Sequence, residues 1–145
     1  MPADLRRHLQ LDLPSQLPTA RGDRRSVANV LTELVTNAHK YSSGSSPIRV
    51  TAGADRRTVL FQVADRGIGI PLDHVDQVFE RFWQAETGNE RRWGGAGLGL
   101  YLVRKTIERQ NGWVSLRPRD GGGTVAEVRL PRGDVGRDAA VSGEA

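Results

Sequence analysis

The chain reads as an α/β two-layer sandwich, one sheet with helices packed on a single face. Two segments repeat apolar residues at helical spacing, and two pairs of strand-like segments, each joined by a short polar turn, read as hairpins. A length of 145 residues fits one domain around one core.

In chain order, His8 to Leu13 alternates apolar and polar residues, which predicts a short strand leading into a proline-bearing loop. Gly22-Asp23 punctuates. Asp23 is then the candidate N-cap of a helix over Ser26 to Tyr41, where Val27, Val30, Leu31, Leu34, Val35 and Ala38 recur on one face and Ser42-Ser43-Gly44 supplies the end. Ile48 to Ala52 and Thr58 to Ala64 read as a hairpin around Ala54-Asp55-Arg56-Arg57. Leu72 to Phe82 predicts a short helical stretch, and Ala85 to Gly97 is polar and glycine-rich enough to form a mobile loop. A second helix runs over Leu98 to Gln110 and closes at Asn111-Gly112. Val114 to Arg117 and Thr124 to Leu130 form the last strand pair, joined by Asp120-Gly121-Gly122-Gly123. The expected domain is residues 1–131, with 132–145 a disordered tail that carries no periodicity.

Composition removes several classes of function. With no cysteine there is no disulfide framework, thiolate zinc site or cysteine nucleophile. No apolar run approaches the roughly 18 residues that cross a bilayer, so direct membrane insertion is not expected and the cytoplasm is the default compartment. The net charge is +4, yet the arginines alternate with Asp and Glu and form no basic block with interleaved aromatics, so nucleic acid is not the expected partner. Lys40 and Lys105 are the only lysines, which draws attention to Lys40 on the first helix.

Three motifs carry chemistry. Glu33, Asn37 and Lys40 stand at i, i+4 and i+7, so a carboxylate, an amide and an ammonium share one arc of the helix. Alone, that arc reads first as a solvated helix face. Continuing the Val59, Phe61, Val63 alternation turns Asp65 inward at the strand's end, and Gly67 and Gly69 would let the backbone pass close to a bound group. Gly94-Gly95-Ala96-Gly97-Leu98-Gly99-Leu100 leads from a loop straight into a helix, whose free N–H groups suit phosphate. It is neither the P-loop nor the dinucleotide fingerprint.

Taken in order, Glu33-Leu34-Val35-Thr36-Asn37-Ala38-His39-Lys40-Tyr41, Asp65-Arg66-Gly67-Ile68-Gly69-Ile70, Val78-Phe79-Glu80-Arg81-Phe82 and Gly95-Ala96-Gly97-Leu98-Gly99-Leu100 resemble the N box, first glycine box, F box and second glycine box of the catalytic ATP-binding domain of bacterial two-component sensor histidine kinases. The resemblance spans roughly residues 8 to 131, and Gly121-Gly123-Thr124 resembles the family's last glycine-threonine turn. It implies the Bergerat fold of the GHKL group: a mixed, mostly antiparallel sheet, helices on one face, and a mobile ATP lid over about Trp83 to Gly94. It also implies ATP and Mg²⁺ as cofactors. Asn37 would hold the metal, Glu33 would assist it or the chemistry, and Lys40 would face the phosphates. Tyr41 would lie on the adenine, Asp65 would accept the adenine amino group, and Gly67, Gly69 and Thr124 would complete the base pocket. Gly95, Gly97 and Gly99 would admit the phosphates; Leu98 falls within that run, although its side chain, like that of Leu100, suits a core or hinge contact. Phe79 and Phe82 are expected to pack rather than touch nucleotide.

Departures from the pattern shape the alternatives. Glu33 stands where many histidine kinases have asparagine, and it matches the water-orienting glutamate of the ATP-hydrolysing gyrase, mismatch-repair and chaperone branch. Gln84 replaces an arginine that often follows the F box, which makes Arg91 and Arg92 candidate phosphate contacts. Arg66 replaces a small polar residue and has no assigned role. The run Glu33 to Ala38 is also similar to anti-sigma-factor serine kinases, but the complete F box and the Gly95 to Leu100 run suit histidine kinases better. None of His8, His39 and His74 has a phosphoacceptor context. The implied partners are therefore a separate histidine phosphoacceptor and dimerisation domain, in the same parent protein or another chain, and a response regulator downstream.

Overall fold

The computed structural model describes residues 3–41, 46–67, 79 and 99–133. Their elements are α1 (Ala3–His8), β1 (Leu9–Asp12), α2 (Arg24–Tyr41), β2 (Ile48–Ala54), β3 (Thr58–Ala64), α3 (Gly99–Glu108), β4 (Trp113–Pro118) and β5 (Thr124–Pro131). They form a five-stranded sheet in the order β1-β2-β3-β5-β4. Only β1 and β2 pair in parallel; the other three pairings are antiparallel, as expected for a mixed, mostly antiparallel sheet.

Strand parity assigns the two faces. The register puts Leu9 beside Ile48, Val50 beside Val63, Val63 beside Ala126 and Ala126 beside Leu116, so these side chains share one face. That face joins Val30, Leu34, Val35 and Ala38 of α2 and Val103 and Ile107 of α3 in a single core. The other face is polar. Gln62 Nε2 donates to Glu127 Oε1 at 2.7 Å, Arg129 Nε donates to Glu127 Oε2 at 2.9 Å, and Arg117 lies 3.6 Å from the same carboxylate. A face covered by such a network needs no helix, which leaves both long helices on the apolar side.

Local chemistry fixes the element ends. Asp23 Oδ2 accepts from the Ser26 N–H at 2.9 Å and from its hydroxyl at 2.7 Å, so the cap sits where the sequence places it and α2 begins at Arg24. Asp23 N–H also donates to Gln110 Oε1, which ties the start of α2 to the end of α3 and sets the two helices antiparallel. Asn111 adopts φ 63°, and the bonds Asn111 N–H to Glu108 O and Gly112 N–H to Ile107 O, both 3.1 Å, close α3 in a Schellman turn. In the β2–β3 turn, Asp55 Oδ1 accepts from Arg57 N–H, Thr58 N–H and the Thr58 hydroxyl at 2.7 to 2.9 Å, which holds this carboxyl down to about 2.

Two expectations change. His8 ends a helix instead of starting a strand: α1 carries Leu5 into the core at 0% exposure, and the strand begins at Leu9. Six residues with one buried leucine show no period, so only the long-range contact reveals the helix. Leu5→Ala is expected to lower stability by about 2–4 kcal/mol in urea unfolding, since a cavity opens beneath a segment too short to hold itself; an unchanged midpoint would detach α1 from the core. Second, pairing continues past Pro131. Arg132 N–H donates to Arg57 O at 2.8 Å and Gly133 N–H to Thr19 O at 2.6 Å. Of the stretch expected to be helical over Leu72 to Phe82, only Phe79 lies among the described residues; it is 6% exposed within the core. Phe82, the lid from Trp83 to Gly94, and 134–145 lie outside them.

Candidate functional site

Helix α2 and the C-terminal end of β3 supply the two principal groups. Glu33 and Asn37 lie one turn apart on α2; Glu33 is half-buried beside the start of α3 and Asn37 is buried. A Cβ at Gly99, the first residue of α3, would sit 3.0 Å from Glu33 Oε2, so this carboxylate lies close against the start of α3. Asn37 is 9% exposed, and its Oδ1 is buried with no hydrogen-bond partner among the described residues. A buried amide oxygen left in that state costs on the order of 1–3 kcal/mol, so it is an acceptor in search of a donor or cation. Lys40 and Tyr41 belong to the last turn of the same helix, and their side chains lie outside the described set.

Asp65 follows β3 directly and is 7% exposed, turned inward as the strand alternation requires. Its Oδ1 accepts the Gly67 N–H at 2.8 Å, and its own N–H donates to Thr124 O at 2.9 Å. Burial pushes the carboxyl above the ordinary aspartate value, against the pull of the Gly67 and Thr124 backbone and the Arg119 charge. Thr124, 8% exposed, opens β5 directly alongside.

The turn between β4 and β5 lies against Asp65. Gly121, Gly122 and Gly123 all have positive φ, at 84°, 106° and 102°. At Gly123 a Cβ would overlap the Asp65 carbonyl oxygen, so both the backbone angle and the contact demand glycine. Gly123→Ala is expected to destabilise the fold by about 3 kcal/mol or more and to weaken any ligand at Asp65 in parallel; a thermal midpoint equal to that of the parent would contradict this packing. Two arginines flank the turn. Arg119 Nη1 donates to Asp65 O at 3.2 Å, and Arg66 Nη1 donates to Asp120 O at 2.6 Å. Nothing in the sequence marks Arg119, because its partner lies 54 residues away.

Because α2 and α3 are antiparallel and α3 runs back along β4, Asn37, Gly99, Asp65 and Thr124 gather at one end of the sandwich. Gly69, Arg91, Arg92, Gly95, Gly97 and Leu98 lie outside the described residues. A separate groove of about 250 Å³ runs between β1 and α2; apart from Thr32, its walls are leucine, valine and phenylalanine, with no group to hold a phosphate or a purine edge.

Comparisons with known proteins identify the family. The family described as histidine kinase-, DNA gyrase B-, and HSP90-like ATPase matches residues 22–134. The chain belongs to that family. Among this ATPase family's members, the sensor protein kinase WalK of Staphylococcus epidermidis is 33% identical over 122 residues, covering 83% of this chain and 20% of WalK. The circadian input-output histidine kinase CikA of Synechococcus elongatus is 34% identical over 125 residues, 85% of this chain and 16% of CikA. The crystal structure of full-length ShkA in complex with AMPPNP superposes with a TM-score of 0.73 at 29% identity, over 86% of this chain and 25% of ShkA. The chain thus spans about a fifth of the length of these curated relatives. The five-stranded mixed sheet with helices is the fold of the histidine kinase ATP-binding domains in this family. No helix among the described residues is long and apolar enough to cross a membrane.

Proposed function

We propose that this chain is the ATP-binding catalytic domain of a two-component histidine kinase, the domain running past residue 131 to include the paired Arg132 and Gly133. The domain binds Mg-ATP and presents the γ-phosphate to a histidine on a separate dimerisation and phosphoacceptor domain, from which a response regulator is served. Its working compartment is the cytoplasm, with any membrane anchor carried by the parent kinase. The observation that carries the reading is the buried Asn37 Oδ1, which has no hydrogen-bond partner among the described residues. A neutral oxygen fits Mg²⁺, a hard cation that takes oxygen ligands and keeps most of its shell for water and phosphate.

The proposed roles are those the family resemblance implies for these residues. Asp65 accepts the adenine amino group, Gly67 and Thr124 line the base, and Asn37 and Glu33 hold the metal. Lys40, with Arg91 and Arg92 of the lid, neutralises the phosphates. Tyr41 lies on the base, and Gly69, Gly95, Gly97, Leu98 and Gly99 shape the approach of the triphosphate. Bound Mg²⁺ would supply charge neutralisation across the phosphate oxygens. The protein's own contribution is to hold the purine and the phosphates in line with an incoming imidazole, so that catalysis is mainly positioning.

The test is calorimetric titration of the chain with ATP in the presence and absence of Mg²⁺, with GTP in parallel and phosphate release followed on the same samples. Magnesium-dependent, adenine-selective binding with little release is the expected result. Steady release would move Glu33 from metal holding to water activation and the protein to the ATP-hydrolysing branch. No binding would overturn the reading.

A further inference from the structure

We infer that Arg66 is a positioning residue for the nucleotide base: it pins the β4–β5 turn against Asp65 and so fixes the pocket that grips the purine edge. The inference deepens the ATP-binding reading and rests on it. Three consecutive glycines at positive φ give the turn at 121–123 little preference of its own, because glycine populates many backbone states at similar energy. Its shape must therefore be imposed from outside. Arg66 Nη1 reaches two of the turn's carbonyl oxygens, Asp120 O at 2.6 Å and Gly122 O at 3.3 Å. In the opposite direction Arg119 Nη1 returns to Asp65 O at 3.2 Å, and Asp65 N–H is bonded to Thr124 O at 2.9 Å. Within the turn, Arg119 N–H donates to Gly123 O and Gly122 N–H donates to Arg119 O, both at 2.9 Å. The two guanidinium groups cross-link the segments that carry Asp65, Gly67 and Thr124. A planar guanidinium can serve two carbonyls at once, which an ammonium on a flexible stem does poorly.

The experiment uses the full chain, with Arg66→Ala, Arg66→Lys and, as a reference for the base site, Asp65→Asn. Hydrogen exchange at the Arg119 and Gly122 amides reports the turn without any ligand, and calorimetry reports ATP affinity. In Arg66→Ala we expect exchange at those amides to speed up about tenfold and ATP affinity to fall about fivefold, with the thermal midpoint close to that of the parent. Arg66→Lys should fall between the two in both readouts. Unchanged exchange in Arg66→Ala would overturn the clamp. Faster exchange with unchanged ATP affinity, while Asp65→Asn binds weakly, would overturn the positioning role alone. Full recovery of ATP affinity in Arg66→Lys with the turn still loose would show that charge acts, not position, and would overturn it equally. If Asp65→Asn binds ATP as the parent does, the base-site reading fails and this inference fails with it.

Discussion

Asn37→Ala is expected to lower magnesium-dependent ATP binding and phosphotransfer about a hundredfold while leaving the unliganded fold nearly as stable as before. The asymmetry follows from the state of the side chain. Its Oδ1 is buried with no partner among the described residues, so removing it relieves a desolvation cost on the order of 1–3 kcal/mol that offsets the lost packing. The same oxygen is the proposed metal ligand, and losing a ligand to a bound cation costs a metal site at least the ten- to hundredfold of its supporting contacts. ATP titrations with and without Mg²⁺, beside thermal unfolding of the free protein, separate the two effects. A large fall in the thermal midpoint with Mg-ATP affinity intact would make Asn37 a structural residue. Asn37→Asp keeps an oxygen but adds a negative charge beside the phosphates, so it should also impair Mg-ATP use more than stability.

Asp65→Asn is expected to weaken adenine binding by about ten- to a hundredfold, the worth of one hydrogen bond to a charged acceptor in a buried site. Its effect on the free protein has the opposite sign. Burial raises the Asp65 carboxyl above the ordinary aspartate value, so the folded state holds the proton more tightly than the unfolded one. The stability this group contributes is present below its unfolded value and is lost as pH rises through the raised folded value. At neutral pH the charged form is a cost that asparagine does not carry, so the variant should be at least as stable there as the parent. Ligand binding runs the other way: acidification through the raised value protonates the acceptor, and the parent should lose adenine affinity where the variant changes little. Adenosine is the probe of choice, having no phosphates to titrate. Equal affinity of parent and variant at neutral pH would remove Asp65 from the base pocket.

The sequence by itself determined what depends on near neighbours along the chain. The α2 helix follows from apolar residues three and four apart and from an aspartate at its cap, and the same spacing puts Glu33 and Asn37 on one arc. The alternation of β3 was enough to turn Asp65 inward, because strand side chains change face at every residue. Both hairpins were legible from their turns, one organised by Asp55 and one by a glycine run. Tertiary structure alone decided which hairpin strands become neighbours: β5, not β4, lies beside β3, and a short β1 joins the edge in parallel. It alone showed that Asn37 is buried and Glu33 lies beside the start of α3, that six residues before β1 form a helix, and that Arg66 reaches the β4–β5 turn while Arg119 reaches back from that turn to Asp65. Periodicity is written in residues two to four apart, whereas burial and hydrogen-bond partnership are set by groups far apart in the chain, 54 residues for Arg119 and Asp65 and 87 for Asp23 and Gln110, which meet only when the sheet has closed.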